Sequence, residues 1–150
     1  MAQEFIELAD GVEVFHSSHD HAHLLNTGIF TAGKKALVVD TQLYLKDIQK
    51  VKDRLRRKGV KARYVVNTHW HGDHVYGNQL FKGVDLISHV DTPTWMAHEL
   101  PKYLDAMKRK DPHNFEEVRL VYPFIRLNGP AILDMGNEEV HIMPQPGHTR

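Results

Sequence analysis

The chain has no cysteine. A disulfide scaffold is therefore excluded, and so are thiolate metal ligands within these residues. The absence leaves the compartment open. Net charge is also missing, because 19 Lys and Arg balance 19 Asp and Glu. No global field then recruits nucleic acid or an acidic membrane surface. No apolar run approaches the roughly 20 residues of a membrane span. The start, Met1-Ala2-Gln3-Glu4-Phe5, has neither the basic region nor the apolar region of a signal peptide. Internal repeats, low-complexity stretches and linkers are absent. These absences leave a cytoplasmic location as the expectation, with no membrane among the partners.

What is present reads as one globular domain. A compact chain of 150 residues buries roughly 68–70% of its unfolded surface, enough for a real core. Hydrophobic residues at 41% and charged ones at 25% fall in the ordinary range for a soluble fold. Glu4 to Leu8 and Val12 to Phe15 read as strands about an Asp10-Gly11 turn, and Leu24 to Thr31 as a third. Gly33-Lys34 turns the chain into a buried strand, Lys35 to Asp40. Leu45, Ile48, Val51 and Leu55 recur at helical spacing, and Gly59 stands where a C′ glycine ends a helix. A strand over Lys61 to Asn67, a short helix over Val75 to Phe81 and a strand over Val84 to Ser88 follow. Asp91-Thr92-Pro93 has the form of a helix start, with Asp91 as the polar cap, and Pro101 is expected to kink or restart that helix. Asp111 to Asn128 reads as irregular or partly helical. Ile132 to Met135 and Val140 to Met143 read as a hairpin around Gly136-Asn137. Hairpins that lead into alternating strands and helices predict a mixed sheet in an α/β architecture.

The chemistry concentrates in Thr68-His69-Trp70-His71-Gly72-Asp73-His74. His69 and His71 are two apart, so an extended segment turns both the same way, as two ligands of one ion must be. His74 lies three further on with Asp73 beside it. A turn at Gly72 lets these two face a second ion. Neutral imidazoles and carboxylates are the donors zinc and similar ions take.

The pattern His-x-His-x-Asp-His resembles the signature of the metallo-β-lactamase fold superfamily of metal-dependent hydrolases. Ala36-Leu37-Val38-Val39-Asp40-Thr41 resembles that family's buried strand ending in aspartate. Pro146-Gly147-His148-Thr149 resembles the segment that supplies its next histidine ligand. The three motifs stand in the family's order from Asp40 to His148. The resemblance implies an α/β fold (α+β in some schemes), the αββα sandwich, of which this chain is the N-terminal half with a mixed sheet and flanking helices. Family chains normally continue further and supply a bridging carboxylate, or sometimes a cysteine, and a last histidine. The expectation is a domain over residues 1–150 truncated after the third motif.

The resemblance further implies a metal site of His69, His71 and His148, with Asp73 and His74 on a second ion. Zinc is the implied metal, one or two ions per complete site, acting through an acidified water on an ester, thioester, lactone or amide. By position Asp73 also orients the nucleophile, which makes it the catalytic residue. Asp40 is expected behind the ligands, accepting a hydrogen bond from an imidazole and fixing its tautomer. The alternatives are a mononuclear iron enzyme like the persulfide dioxygenases, which resemble this chain in the same histidine motif, and a non-catalytic incomplete fragment. The substrate is expected to be a small molecule, and no motif here identifies it.

Several features have two readings. His19, His21 and His23 share one face if extended, and either line the substrate cleft or sit in an exposed polar loop. Thr68 and Thr149 either bond to the ligands or cap loops. Trp70 either packs or lines the pocket. The basic run Lys46 to Arg63 is either a phosphate-binding face or a solvated helix face, and zero net charge counts for the latter and against nucleic acid. A half-sandwich also leaves an apolar sheet face to cover, so a homodimer or a complementary C-terminal fragment is the expected partner.

Overall fold

A computed structural model describes residues 3–18 and 24–149. The chain opens as an antiparallel meander of four strands: β1 (Gln3–Ala9), β2 (Val12–Ser18), β3 (Leu24–Ala32) and β4 (Lys35–Val39). Tight turns at Gly11 and Gly33, both with positive φ, join the first and last pairs. Helix α1 (Leu45–Arg57) then carries the chain across to β5 (Lys61–Val66), which lies parallel to β4. Its apolar residues Ile48, Val51 and Leu55 are buried, and Gly59 follows its end at φ 68.

A short helix α2 (Gly72–Val75) and a 3-10 helix (Tyr76–Phe81) lead to β6 (Asp85–His89), again parallel. Helices α3 (Thr92–Lys110) and α4 (Pro112–Phe115) and an extended segment precede β7 (Ile125–Leu127). The result is one mixed seven-stranded sheet in sequential order β1 to β7. Strands β8 (Ala131–Asp134) and β9 (Glu139–Ile142) form a separate antiparallel pair.

Both faces of the central strands are covered. On one face Ala36, Val38 and Val65 pack with Phe15 and Ile29 against Ile48, Val51 and Leu55 of α1. On the other, Leu37, Val66 and Ile87 pack with Leu133 and Met135 from the β8–β9 segment, joined by Val140 and Ile142. Burial on both sides explains why Ala36 to Val39 is an unbroken apolar run. A third cluster joins Met96, Leu100 and Leu104 of α3 and Phe115 of α4 to Leu43, Val75 and Tyr76. It lies directly beneath α2, next to the histidine motif. Helices on one side of the sheet and the two-stranded β8–β9 sheet on the other make the chain an α/β fold. Among the described residues, no helix is long and apolar enough to cross a membrane.

Several sequence expectations need correction. The helix expected over Val75 to Phe81 begins earlier, at Gly72, and its second part is 3-10. Pro101 does not interrupt α3. Its missing N–H leaves the carbonyl of Ala97 without a helical donor, and both residues are exposed, where water can supply the bond. Asp91 precedes α3 with helical dihedrals and makes no side-chain cap. Asp111 caps α4 instead, accepting from the N–H of Asn114 at 3.3 Å. The stretch read as irregular or partly helical, Asp111 to Asn128, does hold the short helix α4, but it also contributes β7, which pairs parallel to β6 from Ile87↔Ile125 to His89↔Leu127.

Candidate metal centre

The parallel strands β4, β5 and β6 end in register. The N–H of Asp40 donates to the carbonyl of Val66, and that of Asn67 to Ile87, each at 2.9 Å. Asp40, the loop after Val66 and Ser88 therefore meet at one sheet edge, the carboxyl ends where open α/β sheets place their sites. Asp40 and Gln42 have φ 64, a left-handed backbone that few non-glycine residues adopt. The chain thus turns sharply out of β4 and brings the Asp40 carboxylate under the next loop.

That loop is anchored through its main chain. The carbonyl of His74 accepts from the N–H of Thr41 at 2.9 Å, the Thr41 hydroxyl at 3.1 Å and the Asn67 amide at 2.9 Å. Buried Asn78 completes the frame by exchanging bonds with Asn67, and its Oδ1, 2.9 Å from Thr41 Oγ1, shares the single hydroxyl proton with the His74 carbonyl. Its amide also donates to the carbonyl of Val121 at 3.0 Å. Gly77 has to be glycine, since a Cβ there would overlap the Thr41 carbonyl oxygen and come within 2.7 Å of Ile48 Cγ2. At Gly72 a Cβ would meet the far end of the Tyr76 ring at 2.5 Å, so the ring would have to shift.

Three ring nitrogens converge above this frame. His69 Nε2 lies 3.1 Å from His71 Nδ1 and 3.1 Å from His148 Nε2, and the latter two are 3.2 Å apart. Proton positions on His69 follow from its neighbours. Thr68 Oγ1 donates to Asp40 Oδ2 at 2.8 Å, so it accepts from His69 Nδ1 at 3.0 Å. His69 then carries its proton on Nδ1 and offers a lone pair at Nε2. Burial, helped by the neighbouring imidazoles His74 and His71, holds its pKa down to about 4, and burial also lowers that of His71. Neutral imidazoles pointing lone pairs at one another do not make three hydrogen bonds. They do fit a shared cation: zinc–nitrogen bonds of about 2.0–2.1 Å at tetrahedral angles set the donors roughly 3.3 Å apart. The donor set therefore fits an ion.

Asp73 and His74 stand beside this triad without joining it. Their contact, Oδ2 to Nε2, is 3.3 Å, and the His69 and His74 rings are 3.9 Å apart. The other nitrogen of His74 donates to Asp40 Oδ2 at 2.7 Å. Burial opposes charge on His74, but the hydrogen bonds and charges of Asp40 and Asp73 outweigh it and raise its pKa to about 9. For Asp73, burial is likewise outweighed, and the hydrogen bond and charge of His74 hold its carboxyl below the usual range. A proton thus lies between Nε2 of His74 and the carboxylate, where two donors could share a second cation.

Asp40 underlies both groups: Oδ1 accepts from the Thr68 N–H at 2.8 Å, and Oδ2 takes Thr68 Oγ1 and His74 Nδ1. Its bond to His69 thus runs through the Thr68 hydroxyl, and its direct imidazole partner is His74. Thr149 lines a cleft of about 600 Å³ beside His69. Trp70 both packs on the α3 cluster and turns its ring edge-on to His71, 4.4 Å between centroids.

His19, His21 and His23 lie outside the described residues. His16 bonds across the strand to Asn26 at 2.9 Å. Among the described residues, His69, His71 and His148 are the group of three that converges in this way. The basic run is largely engaged in ion pairs: Arg54 and Lys58 both reach Glu13, Arg56 pairs with Asp53, and Arg63 with Asp85. Asn67, Thr41 and Asn78 were not legible as loop anchors. Their signal in the sequence is only that they are polar residues at the ends of apolar elements.

A mixed sheet whose parallel strands end in a three-imidazole cluster, with a carboxylate behind it, defines the class: an α/β protein with a metal-type site on its strand-end loops. The family model of the metallo-beta-lactamase superfamily matches residues 22–150. The chain belongs to that superfamily. A search of curated proteins returns no match. Solved structures share the fold. A metallo-beta-lactamase from Pontibacter korlensis superposes with a TM-score of 0.72 at 14% identity, over 93% of this chain and 59% of its own. TMB-1 gives 0.62 at 20% identity, over 93% and 58%. FIM-1 from Pseudomonas aeruginosa, solved in a mono-zinc form, gives 0.64 at 16% identity, over 86% and 52%. The chain therefore spans little more than half the length of these relatives.

Proposed function

We propose that this chain carries the metal-binding half of a zinc-dependent hydrolase acting on an ester, thioester, lactone or amide. The observation that supports this is the triangle of ring nitrogens at His69, His71 and His148, with the Thr68–Asp40 relay keeping the His69 proton away from the ligand atom. A bound zinc ion supplies Lewis acidity and brings the pKa of a coordinated water toward about 7. The residues supply the rest. Asp73, kept ionised by His74 and one-third exposed, can accept a hydrogen bond from the attacking water and orient it. Asp40 fixes the imidazole tautomers from behind.

Elemental analysis of protein purified without added metal, followed by a hydrolysis screen of zinc-loaded protein, tests the reading. One or two equivalents of zinc and turnover of one ester, thioester, lactone or amide are expected. Iron in the same donors with oxygen consumption would replace this reading with the persulfide-dioxygenase-like one. A chain that binds zinc yet hydrolyses none of the four classes would support the non-catalytic alternative.

We also propose self-association through the sheet face opposite α1. Ile6 lies there, in register with Val14, Gly28 and Val39, as does Leu24; they are 39% and 61% exposed. Light scattering is expected to show a dimer, and a stable monomer at high concentration would refute this.

A further inference from the structure

We infer that the cavity on the α3 side of Asp73 receives an uncharged apolar arm of the substrate, aromatic or acyl. The inference rests on the proposed hydrolase reading and deepens it. The cavity measures about 460 Å³, within the range of small-molecule sites. It is lined by Leu43, Trp70, Tyr76, Leu100, Tyr103 and Met107 together with His71, Gly72 and Asp73 of the histidine motif. Leu100, Tyr103 and Met107 recur at helical spacing, so one stripe of α3 faces the site. The stripe runs from core to solvent: Leu100 is 2% exposed and Tyr103 53%. Among the described residues, Tyr103 makes no hydrogen bond or ring contact, so an exposed aromatic stands beside the reactive carboxylate without a structural partner.

The lining selects by chemistry. It contains no lysine or arginine, and its one carboxylate is Asp73, so an anionic arm would find no cation in the lining to offset its desolvation. Asp73 is already turned to His74 at 3.3 Å, which leaves it little attraction to offer a cationic arm. Two aromatic rings, a tryptophan and a methionine thioether suit a flat or flexible apolar group. Because His71 and Asp73 belong to the same lining, a group held there would lie within reach of the metal centre.

The experiment uses the zinc-loaded full chain carrying Trp95→Phe, so that Trp70 is its one tryptophan. A p-nitrophenyl ester series from acetate to octanoate should show kcat/KM rising roughly threefold per methylene over the first additions. Tyr103→Ser with Met107→Ser should reduce the octanoate-to-acetate ratio at least tenfold, while Tyr122→Ser, exposed and outside the cavity lining, should leave the ratio unchanged. Independently, 4-phenylbutanol should shift Trp70 fluorescence saturably, and the Tyr103→Ser, Met107→Ser protein should lose this response. Binding of the alcohol without hydrolysis of any ester would support the cavity assignment and remove only the hydrolase reading. A flat ester series, or an unchanged ratio in the double variant, would overturn the inference. So would 4-phenylbutyrate or a phenylalkylammonium ion binding the metal-free protein more tightly than the alcohol does.

Discussion

Replacing Asp40 by Asn tests how the ligand tautomers are set. The exchange is nearly isosteric, and asparagine tolerates the left-handed backbone at this position as well as aspartate does. Its oxygen can keep the bond from the Thr68 N–H. Its NH₂ must then face the two groups that now donate to Oδ2, Thr68 Oγ1 and His74 Nδ1. Both must become acceptors. The Thr68 proton swings toward His69 Nδ1, so His69 keeps its own proton on Nε2, the atom that points into the triad. His74 gives up its Nδ1 proton and keeps the one on the nitrogen beside Asp73. Metal must now displace the proton from His69, a donor held in the wrong tautomer. Lost partners behind a ligand typically cost 10–100-fold in affinity, which is about 1.4–2.7 kcal/mol. Competition against a chromophoric chelator near neutral pH measures the affinity. Long-range proton–nitrogen NMR of the metal-free protein reads the tautomer of His69 directly. Affinity within twofold of the parent, with the His69 proton still on Nδ1, would refute the relay.

Three further outcomes follow from other parts of the molecule. His69→Ala or His71→Ala should abolish binding of the first ion, whereas Asp73→Ala, outside the triad, should lower turnover far more than first-site metal content; equal metal loss in all three by elemental analysis would reject separate sites. Buried Glu13, held by Arg54 at 2.8 Å and Lys58 at 2.7 Å, has its pKa lowered from 4.5 to about 2, its burial outweighed by these partners. Because the folded value is the lower one, its stabilisation is complete above pH 4.5 and is lost as pH falls toward 2. The two cations are about a third exposed, so the contribution is discounted to roughly 1–3 kcal/mol; Glu13→Gln should lose that much at neutral pH and flatten the acid limb of a denaturant–pH series. Gly77→Ala should destabilise by about 1–3 kcal/mol through overlap with Thr41 and Ile48, and an unchanged thermal midpoint would contradict the packing described.

Much of the fold was legible because its signals are local. Ile48, Val51 and Leu55 repeat at helical spacing within α1, and the apolar run of β4 is explained by two buried faces. β7 escaped because its three residues, Ile125 to Leu127, carry no pattern of their own; the parallel bonds of β6 create the strand. Pro101 misled because a local rule was applied where solvent relieves the conflict. The histidine motif was readable because four donors lie within six residues. Its support was not, since it joins residues far apart in the chain: Thr41 to Asn78, Ser17 to Gln42 at 2.9 Å, and the Gln42 amide to Thr27 at 3.0 Å. On strands such polar residues look solvent-facing until their partners are seen.

The three bonds on the His74 carbonyl have a consequence for change. Thr41 and Asn67 grip an atom that every residue possesses, whatever its side chain. The course of the loop at position 74 is therefore held by its main chain, and the His74–Asp40 bond at 2.7 Å adds to that hold. Positions 73 and 74 form an exchangeable cassette on that mount. A variant that swaps both for other donors should retune the neighbouring ion site while His69 and His71 keep their places.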